Sequence, residues 1–179
     1  MDLKALSLLV ILGFVVIYFS VYLAYAFFCF VLPMCFYGAF FAKTDDISVE
    51  NMIKLVEIKS GDVAVDLGSG DGKLVIAMAK AGAVAYGFEI NPFLVCLSRI
   101  NIKRAGLDKK AFILQRNFWK EDLSKFDIVT IFGIKFIMED LEVKLKKELK
   151  SGTKVISKYF IFPNWELSEK LGQVNLYIK

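Results

Sequence analysis

The sequence contains no histidine in its 179 residues. Histidine is the commonest general base near neutral pH and the commonest metal ligand among protein side chains. Its absence excludes zinc sites that include histidine and hydrolytic centres that depend on it. We therefore expect no metal site and no hydrolytic centre of these types.

Charged residues are also missing from a long stretch, because no Asp, Glu, Lys or Arg occurs from Ala5 to Ala42. About 20 apolar residues are enough for one helix to cross a bilayer core of about 30 Å. The stretch predicts a single transmembrane helix from Leu6 to Leu32, and Pro33 is expected to end it because proline lacks an amide donor. A re-entrant hairpin is the alternative, although no strong polar turn signal lies near the middle. The chain then divides into an anchor, residues 1–42, and a soluble domain, residues 43–179.

Positive charge is uneven around the predicted span. Lys4 precedes it, whereas Lys43, Lys54 and Lys59 follow it. Lysine is enriched on the cytoplasmic side of membrane proteins, so the carboxyl-terminal domain is expected there, with the bilayer as one partner. The net charge of +4 is small and the lysines are dispersed, which makes a nucleic-acid partner unexpected.

Cysteine is scarce as well. Two of the three cysteines, Cys29 and Cys35, fall in the uncharged stretch, and Cys96 falls in a predicted helix. They offer no useful disulfide framework, so a reducing compartment fits best.

Strands and helices alternate in the soluble domain. A first helix is expected with Ser48 as its N-cap, and a tail pair, Trp165–Leu167 and Val174–Ile178, is expected to be antiparallel. The alternation predicts an α/β, Rossmann-like fold with a mainly parallel sheet and an antiparallel carboxyl-terminal edge. The alternating strands are predicted at Val63–Leu67, Val84–Ile90, Ala111–Leu114, Ile128–Phe132 and Lys154–Ser157. The helices between them are predicted at Lys73–Ala81, Phe93–Ala105 and Ile137–Leu149.

A glycine-rich loop follows the first strand, where an open parallel sheet binds its ligand. Gly68, Gly70 and Gly72 allow sharp turning and close approach of a ligand to the backbone. A lysine at position 73 breaks the dinucleotide pattern G-x-G-x-x-G, and the phosphate-loop pattern is also absent. A pyrophosphate ligand is therefore not favoured.

Two carboxylates identify the ligand more closely. Asp66 precedes the loop, where it suits the ammonium of a methionine moiety, and Glu89 ends the second strand, where it can accept hydrogen bonds from both ribose hydroxyls. This combination predicts S-adenosylmethionine as the cofactor. The full set of predicted cofactor-binding residues is Asp66, Gly68, Ser69, Gly70, Asp71, Gly72, Glu89, Asn91, Asn117 and Phe118.

Some of these residues have plainer interpretations. Asn117 is placed to hydrogen-bond adenine and Phe118 or Trp119 to stack on it, but Asn117 also suits a turn, and Phe118 and Trp119 also suit the core. Asn91 is expected near the ribose, although its N-cap position explains it equally well.

No general base is obligatory for methyl transfer, which is achieved largely by holding donor and nucleophile in line. A lysine acceptor, with a reference pKa of about 10.4, must still lose a proton. The candidates for this role are Asp71, Glu121, Asp122 and Tyr159, each of which also has a structural explanation. The Asn/Asp-Pro-Pro-aromatic motif of enzymes that methylate base amines is missing after the fourth strand, where Phe132-Gly133-Ile134-Lys135 stands.

With these segments in order, the chain resembles the seven-strand methyltransferases that include the mitochondrial lysine methyltransferases of the adenine nucleotide translocase and the ATP synthase c-subunit. The resemblance runs from about Asn51 to Trp165. Its most specific pieces are Gly87-Phe88-Glu89-Ile90-Asn91-Pro92-Phe93, Trp119-Lys120, Phe132-Gly133-Ile134, Leu141-Glu142-Val143-Lys144-Leu145 and Phe162-Pro163-Asn164-Trp165.

This resemblance implies a class I methyltransferase fold, lysine N-methylation, an acceptor that is a membrane or membrane-associated protein, and a mitochondrial membrane if the source is eukaryotic. Several positions depart from the family pattern. Asn117 and Phe118 replace Asp-Leu, Lys135 replaces a proline, and Tyr159 and Ile161 replace an arginine and a proline. The acceptor is therefore less well defined than the cofactor. Methylation of a lipid or quinone-like molecule, or cofactor binding by a scaffold without turnover, stay open as alternatives.

Overall fold

The computed structural model describes residues 2–27 and 43–179. The chain divides into two compact units, Met1–Phe40 and Phe41–Lys179. In the first unit, helix α1 covers Leu3–Ala26, and its part from Leu6 to Ala26 is long and apolar enough to cross a membrane. The predicted continuation of this helix to Leu32 and its predicted end at Pro33 lie outside the described residues.

The second unit contains a sheet of seven strands in the order β3-β2-β1-β4-β5-β7-β6. The first five strands are parallel, and β7 lies antiparallel between β5 and β6. The predicted mainly parallel sheet with an antiparallel edge is therefore confirmed. The strands are β1 Val63–Leu67, β2 Val84–Glu89, β3 Ala111–Gln115, β4 Ile128–Ile131, β5 Lys154–Lys158, β6 Glu169–Leu171 and β7 Val174–Ile178.

Helices connect the parallel strands. Pro92 begins α4 behind the Asn91 cap, since proline suits a first turn whose amides have no partner. The α-helices of this unit are α2 Asp46–Val56, α3 Lys73–Lys80, α4 Pro92–Arg104 and α5 Met138–Glu148. Two short 3₁₀ helices cover Phe118–Lys120 and Lys135–Ile137.

The core has two parts, one on each face of the sheet. On one face, α2, α3 and α4 bury residues such as Met52, Val75 and Met78 against the strands. On the other, Leu141 and Leu145 of α5 pack with Phe126. Strand β1 is almost wholly buried, as alternating strands and helices require.

Two predictions of local structure are wrong. The edge strand begins at Glu169 instead of covering Trp165–Leu167, because Gly172, with a φ of 60°, makes a tight turn directly before β7. Trp165 instead packs against Phe162, with ring centroids 5.4 Å apart. Helix α2 is capped by Asp45, whose carboxylate accepts the Ser48 amide at 2.8 Å, so Ser48 lies in the first turn.

The topology determines where a ligand can bind. The order of the parallel strands reverses between β1 and β4, so the connections that leave these two strands turn to opposite sides and open a crevice at the carboxyl ends. We call the carboxyl ends of β1, β2, β4 and β5, with the loops that follow them, the ligand edge.

Candidate cofactor and acceptor site

The glycine loop turns sharply at the ligand edge. Gly68, Gly70 and Gly72 have φ values of 85°, 54° and 80°, a conformation that other residues adopt only with strain. At Gly72 a Cβ would also lie 2.8 Å from the Cβ of Ser98 on α4. The loop therefore requires glycine at this position for both conformation and packing.

Glu89 stabilises the glycine loop by accepting a hydrogen bond from its backbone. One carboxylate oxygen, Oε2, accepts the Gly70 amide at 2.9 Å, and the other, Oε1, accepts the Ile90 and Asn91 amides at 2.8 Å each. A carboxylate has about four acceptor positions, so one on Oε2 stays open for a ligand hydroxyl. The residue predicted to bind ribose thus also braces the loop.

Asp66 lies beneath the loop as a buried carboxyl group. Thr130 of β4 donates a hydrogen bond from Oγ1 to Asp66 Oδ1 at 2.8 Å. Burial raises the pKa of Asp66 to about 7, the Thr130 bond opposes this rise, and the nearby charges of Glu89 and Asp71 reinforce it. Sequence reasoning missed Thr130; its only signal was one hydroxyl in an otherwise aliphatic strand.

The arrangement fits a cofactor with one cationic group and one diol. At Gly68 a Cβ would meet no atom within 4 Å, so the backbone is open on the side where a ligand would approach. Asp66 supplies a buried carboxyl group that ionises more readily beside a cation, and Glu89 supplies an acceptor for hydroxyl groups. These are the features that S-adenosylmethionine requires.

Other predicted cofactor residues occupy structural positions in this arrangement. The side chain of Ser69 is turned beneath the loop against Gly87, where a Cβ would lie 2.5 Å from its Oγ, so its hydroxyl points away from the open side. Asn91 Oδ1 accepts the Phe93 amide at 3.0 Å as the cap of α4. Asn117 Oδ1 accepts the Trp119 amide at 3.0 Å.

Phe118 lies half-buried after β3, with its ring centroid 5.1 Å from that of Trp119. Both rings pack against the core that contains Phe126 and Leu141. The predicted contact of Asn117 and Phe118 with adenine stays a prediction.

The four candidate bases are dispersed. Asp71 lies in the glycine loop, and its Oδ2 is 3.9 Å from Lys43 Nζ. Glu121 pairs with Arg116 at 3.5 Å, and Asp122 is exposed and accepts the Ser124 amide at 2.9 Å. That hydrogen bond lowers the pKa of Asp122. Among the residues the structure describes, no group of three or more metal-ligating side chains occurs.

Tyr159 is at the ligand edge, directly after β5. It has a φ of 64°, which is strained for a residue with a side chain and is common at functional sites. Its amide donates to the Gln173 carbonyl at 2.8 Å, and its ring centroid is 5.5 Å from that of Phe132 at the end of β4.

A buried lysine beside Tyr159 was missed by sequence reasoning. Lys158 is only 2% exposed, and its Nζ lies 2.7 Å from Asp45 Oδ2. The same ammonium sits over the rings of Phe132 and Tyr159, at 4.7 and 5.0 Å from their centroids. Its hydrogen bond, with those of Ser48, lowers the pKa of Asp45 strongly. The only sequence signal was a lysine ending an apolar strand.

Comparison with known families matches residues 66–169 to the model of the ANTKMT methyltransferase domain. This match covers the end of β1, both carboxylates, the glycine loop and the strands β2 to β5. The chain belongs to this methyltransferase family. The resemblance inferred from the sequence is thereby confirmed.

Two relatives illustrate the range of the family. The ATP synthase c-subunit lysine N-methyltransferase of Rattus norvegicus is 40% identical over 133 residues, which is 74% of this chain and 61% of that protein. A protein-lysine N-methyltransferase of Saccharolobus islandicus is 35% identical over 131 residues, which is 72% of this chain and 81% of that protein. The chain spans between about half and three fifths of the mammalian relatives that it matches.

A solved structure of similar fold supports the topology. It is an RNA methyltransferase from Salinibacter ruber in complex with S-adenosyl-L-homocysteine, with a TM-score of 0.73 and 29% identity over 76% of this chain and 93% of that one. The predicted class I methyltransferase fold is therefore confirmed. Of the positions at which the resemblance led us to expect other residues, Lys135 follows β4 and Tyr159 follows β5, whereas Asn117 and Phe118 follow β3.

Proposed function

We propose that this chain is an S-adenosylmethionine-dependent protein-lysine N-methyltransferase that acts on a membrane or membrane-associated protein. The observation that carries the proposal is the pair of buried carboxyl groups, Asp66 and Glu89, on adjacent strands around a glycine loop. Membership of a methyltransferase family, and relatives described as lysine N-methyltransferases, support it.

In this proposal the cofactor supplies an activated methyl group, and the residues of the chain bind and orient it. Asp66 ionises to hold the cationic methionine end, and the open acceptor position of Glu89 holds the ribose. Asn117 and Phe118 follow the end of β3 and contact adenine in this proposal. Catalysis then depends on alignment of the acceptor amine in a site with little water.

The acceptor enters on the β4–β5 side of the ligand edge. Phe132 and Tyr159 already bind one ammonium group, that of Lys158, through their ring faces. This chemistry suits a region through which another lysine passes. Of the four candidate bases, Tyr159 and Asp71 lie at the ligand edge, and we assign proton removal to this pair or to water.

The anchor belongs to the same proposal. Residues 1–42 form a single-pass membrane anchor and residues 43–179 the methyltransferase domain, with the domain on the cytoplasmic side of the bilayer. Helix α1 supports the anchor by its length and composition, and the lysines after the uncharged stretch support the orientation. An anchored enzyme is held close to acceptors that are themselves membrane proteins.

The decisive experiment incubates the full chain in detergent or liposomes with native membranes and methyl-labelled S-adenosylmethionine. We expect label in a protein band, and methyl-lysine after acid hydrolysis of that band. Label in extracted lipid would instead support the lipid or quinone alternative. In a parallel reaction with added RNA, label in the RNA would support the activity named for the Salinibacter protein. Cofactor binding without label anywhere would leave only the scaffold.

Two variants make this assay specific. Glu89→Ala should abolish labelling because the loop and ribose acceptor are lost together. Lys150→Met removes an ion pair with Asp127 at the opposite edge of the sheet and serves as the control. Equal loss in both variants would indicate general damage to the fold.

A further inference from the structure

Large apolar side chains are exposed on the β4–β5 side of the ligand edge. Phe136 is 89% exposed, Ile47 72%, Ile161 61% and Tyr159 48%. We call these four residues the apolar rim. Single exposed apolar residues are ordinary on protein surfaces, but a group of them beside a site marks an interaction surface.

The tertiary structure brings the rim together from three parts of the chain. The ion pair between Lys158 and Asp45 fixes the start of α2, which carries Ile47, to the end of β5. The contact between the rings of Phe132 and Tyr159 joins the ends of β4 and β5. Phe136 lies in the short 3₁₀ helix that begins three residues after Phe132. The rim therefore borders the region assigned to the acceptor.

The sequence before the rim indicates what covers it. The uncharged stretch ends at Ala42, and Lys43 is within 3.9 Å of Asp71 at the ligand edge. Each residue extends a chain by at most about 3.6 Å, so Ile47 lies within roughly 20 Å of the end of this stretch. If the stretch lies in or on the bilayer as far as Ala42, this short tether keeps Ile47 close to the membrane surface.

Composition supports the same surface. Phenylalanine, tyrosine and isoleucine with exposed lysines, here Lys43 and Lys135, are typical of groups at the interface between lipid and water. Exposed carboxylates of Asp46, Glu139 and Asp140 lie at the start of α2 and of α5, and Asp46 pairs with Lys73 at 2.7 Å, so three carboxylates face three lysines. A zwitterionic lipid surface, without a requirement for anionic lipid, therefore fits best.

We propose that the apolar rim inserts into the interfacial layer of a phosphatidylcholine-type bilayer, so that the ligand edge faces the membrane. This inference rests on the membrane anchor in the proposed function and deepens it. It specifies that the acceptor lysine lies at the level of the lipid headgroups, not in a domain far from the bilayer.

The test measures the depth of the rim directly in the full chain. Cys29, Cys35 and Cys96 are replaced by serine, and Phe136→Cys is labelled with an environment-sensitive fluorophore after reconstitution in phosphatidylcholine liposomes. Val143→Cys is the matched control, because Val143 is 65% exposed on α5 but lies outside the rim. A second rim position, Ile161→Cys, repeats the measurement.

We expect both rim probes to shift to the blue and to lose at least about half of their emission when a nitroxide-bearing lipid is added. The Val143 probe should keep the emission that it has in water. Rim probes that behave like the Val143 probe would overturn the proposal. So would rim probes that respond only after an acceptor membrane protein is added, since the rim would then bind protein.

The readout requires no methyl transfer, so it separates two kinds of failure. Quenched rim probes in a protein without methyltransferase activity would uphold the membrane-facing edge and reject the proposed activity. Active protein with unquenched rim probes would reject only the membrane-facing edge.

Discussion

The two halves of the ligand edge are built from different interactions. On the β1–β2 half, Glu89 accepts hydrogen bonds from backbone amides of the glycine loop and of the residues directly after β2. Its contact with the loop joins residues 19 positions apart. On the β4–β5 half, Lys158 is held by Asp45 across 113 residues. The first half depends on backbone hydrogen bonds. The second depends on a long-range ion pair whose ammonium group lies over two aromatic rings.

This difference predicts how far each half tolerates substitution. A loop held by glycine conformations and a carboxylate tolerates little change, because several backbone amides would lose their acceptor together. The second half is held by side chains, which can be exchanged as a set. Lys135 and Tyr159 belong to that half, on the side where we propose that the acceptor enters.

The largest expected effect tests the backbone-held half. Glu89→Ala leaves three amides without an acceptor, and each unsatisfied buried donor costs about 1 to 3 kcal/mol. We expect the free energy of unfolding in urea to fall by roughly 3 to 9 kcal/mol, and S-adenosylhomocysteine binding to be lost in calorimetry.

Glu89→Gln is the control for shape. It keeps an acceptor oxygen but loses the charge and one acceptor, so folding should largely recover while binding weakens at least about tenfold. Binding of wild-type strength in Glu89→Ala would remove Glu89 from the cofactor site.

The next effect concerns the pH dependence that Asp66 imposes. Its pKa is about 7 in the folded protein and near the ordinary 3.8 when unfolded, so the folded state holds the extra proton between these values. Stability should therefore fall as pH rises from about 4 to about 7, by on the order of 4 kcal/mol from this group. Urea unfolding across this pH range measures the slope, and Asp66→Asn should flatten it.

Ligand binding should show the opposite trend. A cationic ligand favours ionised Asp66, so S-adenosylhomocysteine should bind more tightly as pH rises toward 7 and should release a proton. Calorimetry in buffers of different ionisation enthalpy detects that proton. An unchanged proton count in Asp66→Asn would show that another group titrates.

A smaller and asymmetric effect is expected in the ion-pair half. Lys158→Met removes the buried charge and leaves Asp45 in contact with water, so stability should stay within about 1 kcal/mol of the wild type. Asp45→Asn leaves the Lys158 ammonium buried without a counter-charge and should destabilise the protein more. Thermal unfolding compares the two, and hydrogen exchange in α2 should rise in both. Equal stability of the two variants would contradict a buried ion pair.

The smallest effect is expected away from the ligand edge. Lys150 pairs with Asp127 at 2.6 Å, but its side chain is half-exposed and Asp127 also accepts the Val63 amide. Lys150→Met should change stability by about 0.5 kcal/mol and leave cofactor binding unaltered. Loss of cofactor binding in this variant would mean that the ion pair at the amino ends of the strands affects the ligand edge. The contrast between the two halves of the ligand edge would then not account for cofactor binding.

Sequence reasoning predicted the sheet correctly because strands and helices alternate with clear apolar runs. It proposed Asp66 and Glu89 as cofactor residues because both stand beside glycine or strand-end signals, and that role stays a prediction. It misplaced the edge strand, since Trp165 has strong strand preference but packs against Phe162 instead. Thr130 and Lys158 were missed because their partners, Asp66 and Asp45, are distant in sequence. Neither partner could be named without the register of the strands.

The sequence by itself determined the glycine loop, the two carboxylates and the long uncharged stretch, because each depends on residues that are neighbours along the chain. Only the tertiary structure decided that Glu89 accepts a hydrogen bond from the glycine loop. The tertiary structure likewise decided that burial and the Thr130 hydrogen bond together set the pKa of Asp66. It also decided that Lys43 and Asp45 lie at the ligand edge, because ion pairs and strand order bring together side chains that the chain keeps far apart.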